Sequence, residues 1–189
     1  MQALRLDTMS EDDYLVFENA SPERHEYVAG EIFAMSGASL RHATLTGNVF
    51  VALKLHLKGT PCRVFANDIK LRVAHDKVYY YPDLIATCDP RHAELTSDQY
   101  VVEAPTLVIE VLSESTQGVD PREKMVSYRK LASLKEYVLV SQTERLIEVY
   151  RRTGDVGWGK YIYEPQDTVD LVSVSLNLGM DDIYDDTGL

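Results

Sequence analysis

The chain has 189 residues, 45% hydrophobic and 26% charged, enough for a substantial core, and reads as a single domain over 1–189 with its core at about 10–185. Its formal net charge of -11 counts against tight non-specific binding of nucleic acid, because that affinity comes from Lys and Arg neutralising phosphates. No apolar stretch approaches the ~20 residues that span a bilayer, Met1–Asp7 carries no secretory leader, and Cys62 and Cys88 show no metal-type spacing, which together predict a cytoplasmic protein without membrane partners.

Met9–Glu18 is patterned as a short helix capped by Thr8 or Ser10. Glu26–Met35 is patterned as a hairpin turning at Ala29-Gly30. Ser39–Lys58 is helical, with Leu45, Val49, Leu53 and Leu57 spaced by four, and Gly59-Thr60-Pro61 ends it. Two alternating strands follow, one carrying Cys62, Val64 and Ala66, the other Ile69, Leu71 and Val73. A turn at Ala74–Lys77 leads into a tyrosine-rich, strand-like stretch, Val78–Ala86, that carries Asp83; Asp89–Ala104 is polar and irregular. Thr106–Leu112 has the length and β-branched content of a strand buried on both faces, and a Ser/Thr/Gly loop, Ser113–Val119, follows it.

The next helix start is the clearest local signal: Asp120 suits the cap, Pro121 the first helical position, and Glu123 completes a capping-box pattern. This helix is expected to reach about Ser133, and Lys135–Val140 then closes a strand–helix–strand unit with parallel strands. Arg145–Arg151 and Lys160–Glu164 read as further strands around a Gly-rich turn, and Tyr184–Leu189 as a loose tail. The element order predicts a mixed α/β (α+β) fold rather than a regular doubly wound sheet.

Glu110 interrupts the apolar run Thr106–Leu112, and a lone charge there would cost several kcal/mol. A buried carboxylate persists only with a cation, a metal ion or a hydrogen-bond network beside it. Asp83, after Pro82, has a similar apolar setting. If their strands are neighbours, the two acids suit a hard divalent cation such as Mg²⁺ or Mn²⁺, with the Val111 carbonyl as a third ligand. Lys124, in the first turn of the following helix, could return to the end of the Glu110 strand and stabilise charge or orient a nucleophile.

Pro82-Asp83, then Glu110 on an apolar strand, then a helix, resembles the PD-(D/E)XK restriction-endonuclease-like superfamily. A more specific resemblance, to its Uma-two branch, is carried by Glu26–Ile32, Met35-Ser36-Gly37, His42, Asp68–Val73, Tyr81-Pro82-Asp83, Val108–Ser113, Ser115-Thr116, Asp120, Lys124, Tyr128 and Lys135–Val140. It implies a mixed central sheet flanked by helices, Asp83 and Glu110 as metal ligands, and hydrolysis of DNA phosphodiester bonds by metal-activated water. It also implies a homodimer, by analogy with nucleases that cut two strands. The superfamily's lysine would stand at Leu112, and Lys124 is its migrated replacement under this resemblance. Glu26 from the hairpin, His42 near the start of the long helix, and Asp68 on a strand beside that of Asp83 are further candidates for the site.

Plainer alternatives stand beside each residue. Glu110 also reads as a structural acid paired with Lys124 or Arg122, Asp83 as a strand end, and Lys124 as a solvated lysine. Glu26 and Asp68 could pair only with Arg24, Lys70 or Arg72, and His42 could be an ordinary helix residue. Tyr79, Tyr80 and Tyr81 suit sheet packing better than base stacking. The acidic charge and Leu112 leave a second functional class open, a catalytically degenerate nuclease fold acting as a binding or assembly module.

Overall fold

The computed structural model describes residues 9–35, 37–96, 99–112, 120–155 and 157–189. Helix α1 (Glu11–Ala20) starts at Ser10, whose side chain accepts the Asp13 N–H; Thr8, the other expected cap, lies outside the described residues. The hairpin of β1 (His25–Val28) and β2 (Glu31–Ala34) turns at Ala29-Gly30, both at positive φ (49° and 102°), as the sequence predicts. Helix α2 (Leu40–His56) is capped by Ser39 and buries Leu45, Val49 and Leu53.

Strands β3 (Arg63–Ala66) and β4 (Lys70–Val73) match the two alternating runs, but the tyrosine-rich stretch is two strands rather than one. Its first part, β5 (Val78–Tyr80), and its second, β6 (Leu84–Thr87), belong to different sheets, and Pro82-Asp83 lies on the crossing between them. Proline offers no N–H to a ladder, which suits it to such a crossing. The excursion after β6 is not wholly irregular: it contains a turn of 3₁₀ helix at Pro90–His92 and the short β7 (Val101–Val102), which pairs parallel to β4.

Strand β8 (Leu107–Leu112) is the buried run that carries Glu110. The expected Ser113–Val119 loop lies outside the described residues. Helix α3 (Pro121–Tyr128) begins at Asp120 as predicted but ends short of Ser133, because Arg129–Leu134 folds into turns. Strand β9 (Glu136–Ser141) runs parallel to β8, closing the expected strand–helix–strand unit. Strand β10 (Ile147–Thr153) has the expected length but begins two residues later, and β11 (Gly157–Tyr163) begins three residues earlier than expected, so Gly157 and Gly159 are strand residues and the turn is at Gly154. The chain closes with the hairpin β12 (Thr168–Leu171) and β13 (Leu176–Gly179) and the short α4 (Met180–Ile183). The tail is not loose: Tyr184 is buried, its one hydroxyl proton is within reach of both the Ser141 and Leu146 carbonyls, and Arg41 donates to the Thr187 carbonyl.

A five-stranded sheet has the order β2-β1-β5-β4-β7, and a six-stranded sheet the order β11-β10-β9-β8-β6-β3. Strand alternation sorts the core. Leu107, Ile109 and Val111 of β8 pack with α2 and the terminal hairpin, while Val108 packs on the opposite face with Met125 and Tyr128 of α3 and Leu71 and Tyr80 of the other sheet. Glu110 shares the parity of Val108 and faces α3.

Cys62 and Cys88 form a disulfide with a Cα–Cα distance of 4.0 Å, because the Arg63↔Thr87 pairing sets their neighbours opposite one another. A bonded pair is no mark of a reducing compartment, so the cysteines do not support the cytoplasmic expectation. No helix among the described residues is long and apolar enough to cross a membrane.

Candidate active site

Strands β6 and β8 are adjacent, as a paired-acid site requires. They pair antiparallel with Leu84 opposite Ile109, which sets Asp83, just before β6, beside Glu110 near the C-terminal end of β8. Both acids line one cleft of about 1310 Å³, together with Glu26, His42 and Lys124. Asp83 is held in place by its own neighbours: Oδ2 accepts the Val111 N–H at 2.7 Å and lies 3.3 Å from His42 Nε2, while its carbonyl accepts the Asn67 N–H. His42 reaches it from the first turn of α2, where its own N–H is capped by Ser39.

Glu110 and Lys124 are 6% and 5% exposed, so the plainer picture of a solvated lysine does not apply. Lys124 Nζ lies 2.6 Å from Glu26 Oε1 and 3.2 Å from Glu110 Oε1, and 5.4 Å from the Tyr80 ring centre. One ammonium therefore serves two buried carboxylates from two different sheets. Glu26 comes from β1, and its Oε1 also accepts the Tyr81 N–H on the crossing segment. Tyr128, one helical turn beyond Lys124, donates its hydroxyl to the same Glu110 oxygen at 3.3 Å.

The charges follow from this crowding. Burial raises the Glu110 pKa, Lys124 counteracts this, and the charges of Asp83 and Glu26 push it higher again. Burial disfavours charge on Lys124 too, but Glu110 and Glu26 together hold its pKa above the ordinary lysine range. His42 is likewise opposed by burial, yet Asp83 and the Val111 backbone raise its pKa above the usual value.

The structure thus brings Asp83, Glu110, Lys124, Glu26 and His42 together. Asp68 lines the same cleft but not from a strand as expected: it is on a turn, at φ 49°, with its side chain 70% exposed and paired to Arg24. Tyr79, Tyr80 and Tyr81 are all buried, in keeping with packing rather than base stacking. No motif assigns Tyr128 a role; the sequence signal for it is its spacing of four from Lys124, which puts both on one helix face.

Among the described residues, no three His, Cys, Asp or Glu side chains are grouped closely enough to form an all-protein metal cage. Mg²⁺ does not need one; it uses one or two carboxylates and keeps several waters. The donor set fits such an ion. Hydrogen bonds from the described residues fall on Oδ2 of Asp83 and Oε1 of Glu110, which leaves the second oxygen of each carboxylate for a ligand. Three acids against Lys124 and His42 also leave negative charge for a divalent ion to balance.

The mixed α+β fold is shared with a solved structure. It superposes with a TM-score of 0.75 on the crystal structure of "a putative nuclease belonging to DUF820" from Anabaena variabilis, at 18% identity, over 93% of this chain and 97% of that one. Residues 11–181 match the Uma2 family model, described as "Putative restriction endonuclease", and the chain belongs to that family. Two uncharacterized proteins of Synechocystis sp. are similar along most of their length. Slr1290 is 34% identical over 176 residues, 93% of this chain and 91% of the relative; sll1609 is 34% identical over 147 residues, 77% and 82%.

Proposed function

We propose that the chain is an endonuclease that hydrolyses DNA phosphodiester bonds with Mg²⁺ or Mn²⁺. The supporting observation is the pairing of Asp83 beside Glu110 across β6 and β8, in a cleft where Lys124 is shared between Glu110 and Glu26. Asp83 and Glu110, with the Val111 carbonyl, would hold the ion. When bound, it supplies charge stabilisation at the phosphoryl oxygens and makes water a better nucleophile at neutral pH.

The protein's own groups do the rest. Lys124, kept charged by its two acids, stabilises negative charge developing on the phosphate or orients the attacking water. Glu26 holds the Lys124 ammonium from the opposite sheet. His42 holds Asp83 and can exchange a proton with a water at the cleft. Asp68, paired with Arg24 at the rim, has at most a part in seating the substrate. Cutting both strands of a duplex calls for two such sites, so the working unit is proposed to be a homodimer.

A second function, as a binding or assembly module, is favoured by the leucine at 112 and by the surplus of acids in the cleft. One experiment separates the two. Purified protein is titrated calorimetrically with Mn²⁺ and assayed on plasmid DNA, alongside Asp83→Asn and Glu110→Gln. Saturable binding and cleavage, both lost in each variant, are the expected result. Cleavage that survives both substitutions would refute the site, and an inert but partner-binding protein would favour the module.

A further inference from the structure

Among the described residues, Glu110 is held by two donors from a single helix, and only one of them is a charge. Lys124 and Tyr128 are four residues apart on α3, both are buried, and both reach Oε1 of Glu110, at 3.2 and 3.3 Å. A carboxylate oxygen offers about two lone-pair directions. Two donors therefore saturate Oε1 and fix the rotation of the carboxylate plane. A single donor such as Lys124, which is pulled at 2.6 Å toward Glu26, would leave that plane free to turn.

The Tyr128 ring is itself clamped, edge-on to Tyr80 at 5.4 Å and to Tyr137 at 5.1 Å between ring centres. The Tyr137 hydroxyl donates to the Pro121 carbonyl at 2.9 Å, which ties the start of the same helix to β9. The hydroxyl of Tyr128 thus comes from a rigid support. Asp83 shows the same arrangement in different chemistry, with Oδ2 held by the Val111 N–H and His42.

We infer that Tyr128 is a positioning residue of the candidate metal centre: with Lys124 it locks Oε1 of Glu110, so that Oε2 is the oxygen offered to a divalent cation. This rests on the metal-site reading above. Outer contacts of this kind set ligand orientation, and their loss weakens metal affinity by about 10–100-fold.

The test compares Mn²⁺ affinity by calorimetry in the wild type, Tyr128→Phe, Tyr150→Phe and Asp83→Asn. Phenylalanine keeps the ring and its packing, and Tyr150, whose hydroxyl donates to Glu148, is the control for loss of a hydroxyl elsewhere. Tyr128→Phe is expected to bind Mn²⁺ about tenfold more weakly, while Tyr150→Phe matches the wild type. In the unaltered protein, the Tyr128 ¹³Cζ resonance is expected to move on addition of Mg²⁺ and that of Tyr150 to stay, a measurement that needs no variant to fold. Wild-type affinity in Tyr128→Phe, or a stationary Tyr128 resonance, overturns the role of Tyr128 while Asp83→Asn still abolishes binding. Mn²⁺ binding that is absent in the wild type or unchanged in Asp83→Asn overturns the metal-site reading itself.

Discussion

Two glutamates stand on neighbouring parallel strands, both buried, and the protein treats them differently. Glu136 on β9 is 0% exposed, and both of its oxygens are satisfied: Oε1 accepts Arg151 Nε at 2.7 Å and Oε2 accepts the Ser173 N–H at 2.7 Å. Glu110 on β8 shares its lysine with Glu26, and its bonds from the described residues fall on one oxygen. Glu18 resembles Glu136, with Oε1 bonded to the His25 N–H and the Tyr81 hydroxyl and Oε2 close to the His25 ring. Burial alone therefore does not mark a site. An acid whose second oxygen and share of positive charge are left open does, because such incompleteness is costly unless a ligand completes it.

The contrast can be broken most severely at its cations. Lys124→Ala would strand two buried acids, and urea denaturation should show a loss of about 3–5 kcal/mol, partly recovered by millimolar Mn²⁺. Glu136→Gln should cost about 2–4 kcal/mol by leaving Arg151 without its counter-charge, yet leave Mn²⁺ affinity unchanged in the folded protein. Glu110→Gln should do the reverse, abolishing Mn²⁺ binding while shifting stability by no more than about 1 kcal/mol, since it removes a poorly compensated buried charge. If Glu110→Gln and Glu136→Gln lost stability equally and neither altered metal binding, both acids would be structural.

The smallest effect concerns an acid at the protein's edge. Burial alone would raise the Asp76 pKa, but bonds from Lys130 and His75 bring it down to about 2. A folded pKa below the unfolded value means that its contribution is present above about pH 4 and is lost as pH falls toward 2. Asp76→Asn should cost about 1 kcal/mol at pH 7, and the cost should shrink steadily below about pH 4, as pH-resolved denaturation would show.

Local signals carried much of the fold. Ser39, Asp120 and Pro121 marked helix starts that the structure keeps, because caps act within one turn. The apolar period of four over Leu45–Leu57 and the buried run at 106–112 marked elements whose faces the core then used. Sequence and structure part where distant contacts decide. Val78–Ala86 reads as one strand, yet Pro82-Asp83 divides it between two sheets. The tail after Tyr184 has no local pattern, and it is ordered by Arg41, Asn48 and the Leu146 segment. Asp68 reads as a strand residue, yet it is a turn residue paired with Arg24.

The sequence by itself determined that acids interrupt apolar runs at 83 and 110, and that a capped helix carries Lys124 just beyond the second. Residue type and period are local properties, and burial of a charge is improbable enough to stand out. Only the tertiary structure decided that the β6–β8 pairing sets Asp83 beside Glu110, that Glu26 shares Lys124, and that Tyr128 completes the grip on Glu110. Those are contacts between residues 14 to 98 positions apart, set by strand register and by the crossing between sheets, which no local pattern records.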